Sequence, residues 1–350
     1  MEYPKFKVCC RCFTFNHSKY ITDAMSGFTM QQTSFPFVCT IVDDASTDGE
    51  QEVIRKYVEE NFDFSEGSVA YNKETDYAHI TYAQHKTNKN CYFAVLFLKK
   101  NHYSQKKPKL PYLEEWRNIC EYEALCEGDD YWIAQNKLEK QVNYLDNNRN
   151  CVLISHGYKS VNERTGRFED CVFCKEIIDL GIILNKHTII ATASMVFRNS
   201  VAKEYHEFMS NKPSFDYSIK AFFSMKGDIC NIPEVMSVYR YCSNASWTSN
   251  ATHNDDFLVR HNLQAIETLE CICKYFNNSI TEEFNQAILR RKATIAMVKY
   301  DRYSLNREPL KKYYYEIPVY IRISYYIKNN FPFLYNILYK SRNYLLRNIR

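Results

Sequence analysis

Glycine is scarce in this chain: eight occur in 350 residues, and no two stand one residue apart. That excludes a Gly-x-Gly-x-x-Gly dinucleotide turn and the glycine-rich loop of the P-loop nucleotide hydrolases, where bare backbone must approach phosphate closely. Long apolar runs are absent as well. The longest, Cys91–Leu98, has eight residues, far short of the roughly 18–20 that a membrane-crossing helix needs. No secretory leader is expected, because Lys5 and Lys7 run into a segment that contains Arg11 rather than into a continuous apolar core. The fourteen cysteines are scattered through apolar stretches such as Val8-Cys9-Cys10 and Cys151–Ile154. A reduced, cytoplasmic setting is therefore expected rather than a disulfide framework. Cys171 and Cys174 have zinc-knuckle spacing, but no second pair follows at a matching distance.

Charge is distributed unevenly. The net charge is +4, yet the last fifty residues alone carry ten Lys or Arg against three Asp or Glu. The remaining body is slightly acidic, which is not the footprint of a nucleic-acid binder. No nucleic-acid partner is expected.

The apolar pattern alternates between strand-like and helix-like stretches. Phe6–Phe15 reads as a buried strand, followed by a helix from about Lys19 to Met30. "FVCTIV", Phe37–Val42, is a second strand that stops at Asp43-Asp44, and "STDGEQEVIRKYVEE" gives a turn and an amphipathic helix. Glu121–Cys126 reads as a further strand and Lys137–Leu145 as a helix. Strand-like pieces recur in "CVLISHGY", "TIIATASMVF" and "VMSVYRY", and residues 255–300 read as mostly helical. This order predicts an α/β sheet with parallel strands.

Two of the strands end in acids, Asp43-Asp44 and, within "YEALCEGDDYW", Asp129-Asp130. In open α/β sheets, ligands bind beyond the carboxyl ends of the strands. Two acidic strand ends facing one crevice would form an oxygen-ligand site suited to Mg²⁺ or Mn²⁺, and such a cation usually brings a diphosphate. Taken singly, either pair also reads as a solvated turn. "DASTDGEQEVIR" imitates an EF-hand loop but has Arg55 where the bidentate Glu belongs, after a β-type run rather than a helix. Gly-Asp-Asp also occurs in nucleic-acid polymerases, but no basic channel accompanies it here.

"TFNHSKYI", then "MQQTSFPFVCTIVDDASTDG", then "CEGDDYW…NKLEKQV" together resemble glycosyltransferase family 2, the inverting GT-A group, in the manner of bacterial capsular and O-antigen polysaccharide enzymes. The resemblance spans about residues 6–248 and rests on several motifs in series. It implies a GT-A fold, a Rossmann-like mixed sheet flanked by helices. Residues 1–250 would be the catalytic domain, with a nucleotide-sugar half at about 1–132 and an acceptor half at about 133–250. Residues 251–350 would be a helical extension.

The resemblance also implies roles. Thr14, Phe15 and Asn16 would line the base, with Phe15 stacking on it, and Asp43 and Asp44 would hydrogen-bond the uracil or ribose. Asp130 would ligate the metal, with Asp129 near the ribose and sugar and sharing the metal site. Asp216, in "FDYSIKAFFSMKGDICNIPEVMSVYR", falls at the general base, though after Pro213-Ser214 it also reads as a helix cap. Arg240 reads equally as a diphosphate contact or as one half of a structural ion pair. The implied cofactor is a Mg or Mn cation. The implied donor is a UDP-sugar carrying a hexosyl or N-acetylhexosaminyl group, and the acceptor a saccharide or polyprenyl-linked saccharide. Two departures stand out: Tyr241-Cys242 where the family often has His after "VYR", and Phe13 where proline is common. Thr192 and Ser194 would face the sugar or acceptor or simply pack, and Trp132 and Trp247 would line the acceptor cleft or the core.

The tail, "PVYIRISYYIKNNFPFLYNILYKSRNYLLRNIR", mixes aromatic and aliphatic residues with cations, as interfacial helices do. Peripheral contact of residues 301–350 with the inner face of the cytoplasmic membrane is one reading; packing on the catalytic domain or on a dimer partner is the other. Two further functional classes remain open on the residues. A sugar-phosphate nucleotidyltransferase would want a glycine-rich loop near the first strand. A non-catalytic nucleotide- or sugar-binding scaffold would bind without needing Asp216.

Overall fold

The computed structural model describes residues 3–185, 190–210, 216–241, 254–277 and 282–335. Its strands, in chain order, are β1 Val8–Thr14, β2 Phe37–Asp43, β3 Tyr71–Glu74, β4 Ala78–Gln84, β5 Cys91–Leu98, β6 Tyr122–Leu125, β7 Tyr131–Trp132, β8 Cys151–Asn162, β9 Phe168–Cys171, β10 Val196–Arg198 and β11 Asp228–Tyr241. They form one sheet in the order β3-β4-β5-β2-β1-β6-β10-β8-β11-β7, with β9 paired to β8. The centre, β5-β2-β1-β6, is parallel. Antiparallel strands flank it: β3 and β4 on one side, β10 on the other. The fold class is a large mixed sheet flanked by helices, as expected; the parallel pairing expected from the strand-helix order holds for the four central strands and for β8 with β11, while β3, β4, β7, β9 and β10 pair antiparallel.

Period-two alternation explains how both faces are buried. In β2, Phe37, Cys39 and Ile41 enter a core with Ile21, Met25 and Phe28 of the helix Ile21–Thr29 and Ile54 and Val58 of the helix Glu50–Asn61. Val38 and Val42 point the other way, into a core with Ile80, Leu96, Leu113 and Trp116. The cysteines of β1 divide likewise between these two cores. A third core lies beside β8, β10 and β11. There Tyr205, Phe222 and Phe223 meet Leu269 and Phe284 of the helices Asp255–Tyr275 and Glu282–Val298. The first C-terminal helices thus share packing with the sheet.

"TIIATASMVF" departs from the strand expectation. Thr192–Ser194 form a 3₁₀ turn, and only Val196–Arg198 is strand. Its carbonyls are taken by side chains rather than by a ladder: Trp132 Nε1 donates to Ala193 O at 2.9 Å and Gln141 Nε2 to Ser194 O at 2.9 Å. Ser194 is buried, and so is Trp132, packed edge-on against Phe28.

Candidate active site

β2, β1 and the loop after β6 meet at one edge. Thr14 pairs with Asp43, the Asp44 amide donates to Thr14 O at 3.0 Å, and the Gly128 amide donates to Phe13 O at 3.2 Å. Gly128 lets the acidic loop lie directly on β1: a β-carbon there would stand 2.1 Å from Thr14 Oγ1 and 2.6 Å from Thr14 Cβ. The chain leaves β1 and β2 through left-handed residues, Asn16 at φ 57° and Ala45 at φ 59°. Asn16 suits that conformation because its Oδ1 accepts from the Thr47 amide at 2.8 Å. For Ala45 the conformation costs roughly 1–2 kcal/mol; such strain is found where a site over-determines the backbone.

The acids at this edge are held in different ways. Asp44 is fully buried and engaged, accepting from the amides of His102 at 2.6 Å and Tyr103 at 3.1 Å and from Lys109 Nζ at 2.8 Å. It anchors the segment after β5. Asp43, its neighbour, is also buried. Its Oδ1 accepts from Gln51 Nε2 at 2.5 Å and the Ser46 amide at 3.2 Å, while Oδ2 has no hydrogen-bond partner among the described residues. Burial pushes the Asp43 carboxyl above its ordinary range, and bonds from Ser46 and Gln51 pull it back. An open cavity of about 300 Å³ adjoins it, lined by Ala45, Ser46, Gln51, Arg55 and Phe97 among others. Phe15, at the end of β1, keeps 40% of its surface exposed.

Glu50, at the start of its helix, is fully buried and ties the two strand ends together. It accepts from Thr14 Oγ1, the His17 amide at 2.8 Å and Ser46 Oγ at 2.8 Å.

Asp129 and Asp130 differ in exposure. Asp130 is buried, and its Oδ1 accepts from the Arg240 amide at 2.8 Å. Burial, and then the charge of Asp129, hold its carboxyl well above the usual range. The Asp129 side chain is partly exposed, with Oδ2 3.8 Å from His17 Nε2. Arg240 is caged: Nη2 meets Asp23 at 2.5 Å, Nε meets Glu163 at 3.3 Å, Nη1 donates to Asp129 O at 2.8 Å, and the guanidinium lies over Tyr131. Of its two readings the structure shows the ion pair.

Asp216 opens the helix Asp216–Phe223; its side chain, like Cys242 and Trp247, lies outside the described residues. Among the described residues, no three His, Cys, Asp or Glu side chains are already gathered to hold a metal. The acidic loop still fits a hard cation. A buried carboxylate beside a second one needs positive charge, and such ions are commonly held by one or two carboxylates plus substrate phosphates and water. Sequence reasoning did not reach His17, Glu50 or Lys109. The only signal for them was His17 directly after Asn16 in "FNHSKYI".

No family model matches the chain. Three curated relatives, the uncharacterized proteins Mb1547 of Mycobacterium bovis and MT1570 and Rv1520 of Mycobacterium tuberculosis, are each 28% identical over 263 residues. The match covers 74% of this chain and 66% of theirs, so the chain spans about two thirds of their length. Among solved structures it is similar to S. aureus TarS 1-349 in complex with UDP-GlcNAc: TM-score 0.46, 15% identity, 84% of this chain and 81% of that one covered. It is likewise similar to the mannosyltransferase PcManGT from Pyrobaculum calidifontis in complex with GDP-Man and Mn²⁺: TM-score 0.46, 14% identity, 95% and 88% covered. Likeness at that level does not carry function, which has to come from the chemistry of the site.

Proposed function

We propose that the chain is a metal-dependent inverting glycosyltransferase. It moves a sugar from a nucleoside diphosphate, with UDP the first candidate, to a saccharide or lipid-linked saccharide of a cell-surface polysaccharide. One observation carries this reading: the acidic loop Glu127–Asp130 and the Asp43 carboxylate lie at the ends of β6, β1 and β2, with Asp43 Oδ2 buried and without a hydrogen-bond partner among the described residues.

An unpartnered buried acceptor calls for a donor. The ring N–H of uracil, thymine or guanine supplies one, and so does the amino group of cytosine. Asp43 would therefore hold the donor edge of the base while Phe15 stacks on the ring. Burial raises the Asp43 carboxyl, and the bonds from Ser46 and Gln51 oppose that rise. Asp129 and Asp130 would hold the cation, whose chemistry is to offset the charge that develops on the departing diphosphate. Arg240 keeps those two acids in place through its amide and its bond to Asp129 O. In the role the resemblance gives it, Asp216 takes the proton of the acceptor hydroxyl as that oxygen bonds to the anomeric carbon and the bond to the phosphate oxygen breaks. Attack from the opposite face inverts the configuration.

Thermal unfolding with UDP, GDP, dTDP and CMP, each with and without Mn²⁺, tests this. A bound nucleotide at 100 times its dissociation constant should add roughly 2.7 kcal/mol of stability. One of the four should do so with metal, and Asp43→Ala should remove the effect. No shift with any nucleotide overturns the reading. Asp216→Ala should abolish transfer and keep the shift, which separates an enzyme from a binding scaffold.

The C-terminal helices support a second element of the proposal, peripheral docking on an anionic membrane. Val319–Asn330 is a helix with no buried residue, and Val319, Tyr320, Ile323 and Tyr326 are exposed at helical spacing. Phe331, Phe333 and Leu334 continue that apolar face, and Lys311 and Lys312 stand exposed on the helix before it. Aromatic and aliphatic side chains interleaved with cations match a headgroup boundary. Among the described residues, no helix is long and apolar enough to cross a membrane. The paired substitution Tyr320→Ser and Ile323→Ser should weaken binding to phosphatidylglycerol vesicles about tenfold, about 1.4 kcal/mol. Equal binding by the variant rules out this docking face.

A further inference from the structure

We propose that His17 supplies an imidazole ligand to the cation held by the acidic loop. The inference rests on the glycosyltransferase reading and adds a residue to that site.

Three contacts fix the ring. The His17 amide donates to Glu50 Oε2 at 2.8 Å, which sets the backbone. His17 Nδ1 lies 3.2 Å from Thr14 Oγ1, and the Thr14 hydroxyl donates its one proton to Glu50. The hydroxyl oxygen is then left to accept, so Nδ1 carries the hydrogen, and in the neutral ring the lone pair sits on Nε2. Nε2 stands 3.8 Å from Asp129 Oδ2. That is beyond hydrogen-bonding distance. A cation ligated by both would span the gap between Nε2 and Oδ2.

The arrangement behind the ring has the form that metal-binding histidines use. Such histidines donate their second ring N–H to an oxygen, which fixes the tautomer and raises the basicity of the ligating nitrogen. Here that oxygen is itself fixed by Glu50, which is fully buried at the head of its helix. Gly128 keeps the assembly tight, since a β-carbon there would stand 3.1 Å from His17 Nδ1 as well as striking Thr14. An imidazole added to carboxylate ligands moves metal preference away from Mg²⁺ toward Mn²⁺ and the later first-row cations.

Pulsed electron paramagnetic resonance of the full chain with Mn²⁺ and the nucleoside diphosphate that stabilises it gives a direct readout. We expect ¹⁴N coupling from a bound imidazole that changes on ¹⁵N-histidine labelling and disappears in His17→Gln. The same variant should bind Mn²⁺ at least about tenfold more weakly, with a smaller change for Mg²⁺. Thr14→Val provides a second variant, removing the oxygen that fixes the ring. It should keep the nitrogen coupling and weaken Mn²⁺ binding. Bound Mn²⁺ without nitrogen coupling, or coupling that survives in His17→Gln, overturns the inference and leaves the transferase reading standing. Wild-type protein that binds no Mn²⁺ with any nucleotide overturns both.

Discussion

Replacing Glu123 with alanine is expected to lower the free energy of unfolding by about 3–5 kcal/mol, the usual cost of removing one member of a buried charge group. Glu123 lies in the middle of β6 and is fully buried. Arg117 Nε approaches it at 3.5 Å, Arg11 Nη1 at 3.8 Å and His206 Nε2 at 4.0 Å. None of these is a good hydrogen bond, and both Glu123 oxygens lack one among the described residues. The pairing is therefore one of charge. Burial pushes the Glu123 carboxyl up, and Arg11 and then Arg117 pull it down. Burial and the same two arginines press His206 down to about 2, so it stays neutral. Without Glu123, two guanidinium groups share an enclosed space with no anion. Urea denaturation measures the loss directly. The triple variant R11M/R117M/E123M should lie close to wild type, because replacing a whole buried ionic group with apolar side chains is often neutral. A loss under about 1 kcal/mol in Glu123→Ala would show that the carboxylate does not hold the two arginines.

The fold and the acids were legible for the same reason: apolar strands with period two that stop abruptly at charge. Phe37–Val42 followed by Asp43-Asp44 has few other solutions. The antiparallel pair β3 and β4 was not legible, because "YNKE" is polar with no buried residue and the buried face of "AHITYAQ" is only Ala78, Ile80 and Tyr82, alternating with His79 and Thr81. Nor could the sequence distribute the acids between tasks. Asp44 is engaged by Lys109, 65 residues on, and Arg240 by Asp23, 217 residues back. Those pairings come from the sheet order, which puts β7 against β11 and so brings Arg240 onto the acidic loop. The relay from Glu50 through Thr14 to His17 crosses between two strand ends and leaves no periodic trace. Motif spacing marked the candidate site, and tertiary contacts show which of its acids are taken up in holding the fold, Asp44 above all.

Asp130→Asn should make the metal-free protein more stable and the enzyme inactive. The folded Asp130 carboxyl is held well above its ordinary range by burial and by Asp129, with Glu127 adding to the effect and the Arg240 amide and charge opposing it. A carboxyl raised in the folded state contributes stability that is present below the ordinary carboxylate range and is lost as pH rises through the folded value. Above the ordinary carboxylate range, then, the raised Asp130 carboxyl weakens the metal-free fold relative to a neutral side chain. Asparagine keeps an oxygen for the Arg240 amide and drops that charge. In metal-free buffer its melting temperature should exceed that of wild type at pH 7–8, and the gap should close as pH falls toward the range where Asp130 is protonated. With Mn²⁺ and the preferred nucleoside diphosphate the order should reverse. Wild type gains roughly 2.7 kcal/mol at 100 times the dissociation constant, while the variant loses the metal-dependent part of that gain. Sugar transfer should drop about 10²–10³-fold, the scale for losing one preorganised electrostatic contact to the transition state. A variant less stable than wild type at every pH would mean that Arg240 and the surrounding protein already balance the Asp130 charge, and the case for a cation at this position would fall. The gain without metal and the loss with it would have one cause: the Arg240 amide and charge offset only part of the cost of a charge buried at Asp130, and the proposed cation would offset the rest.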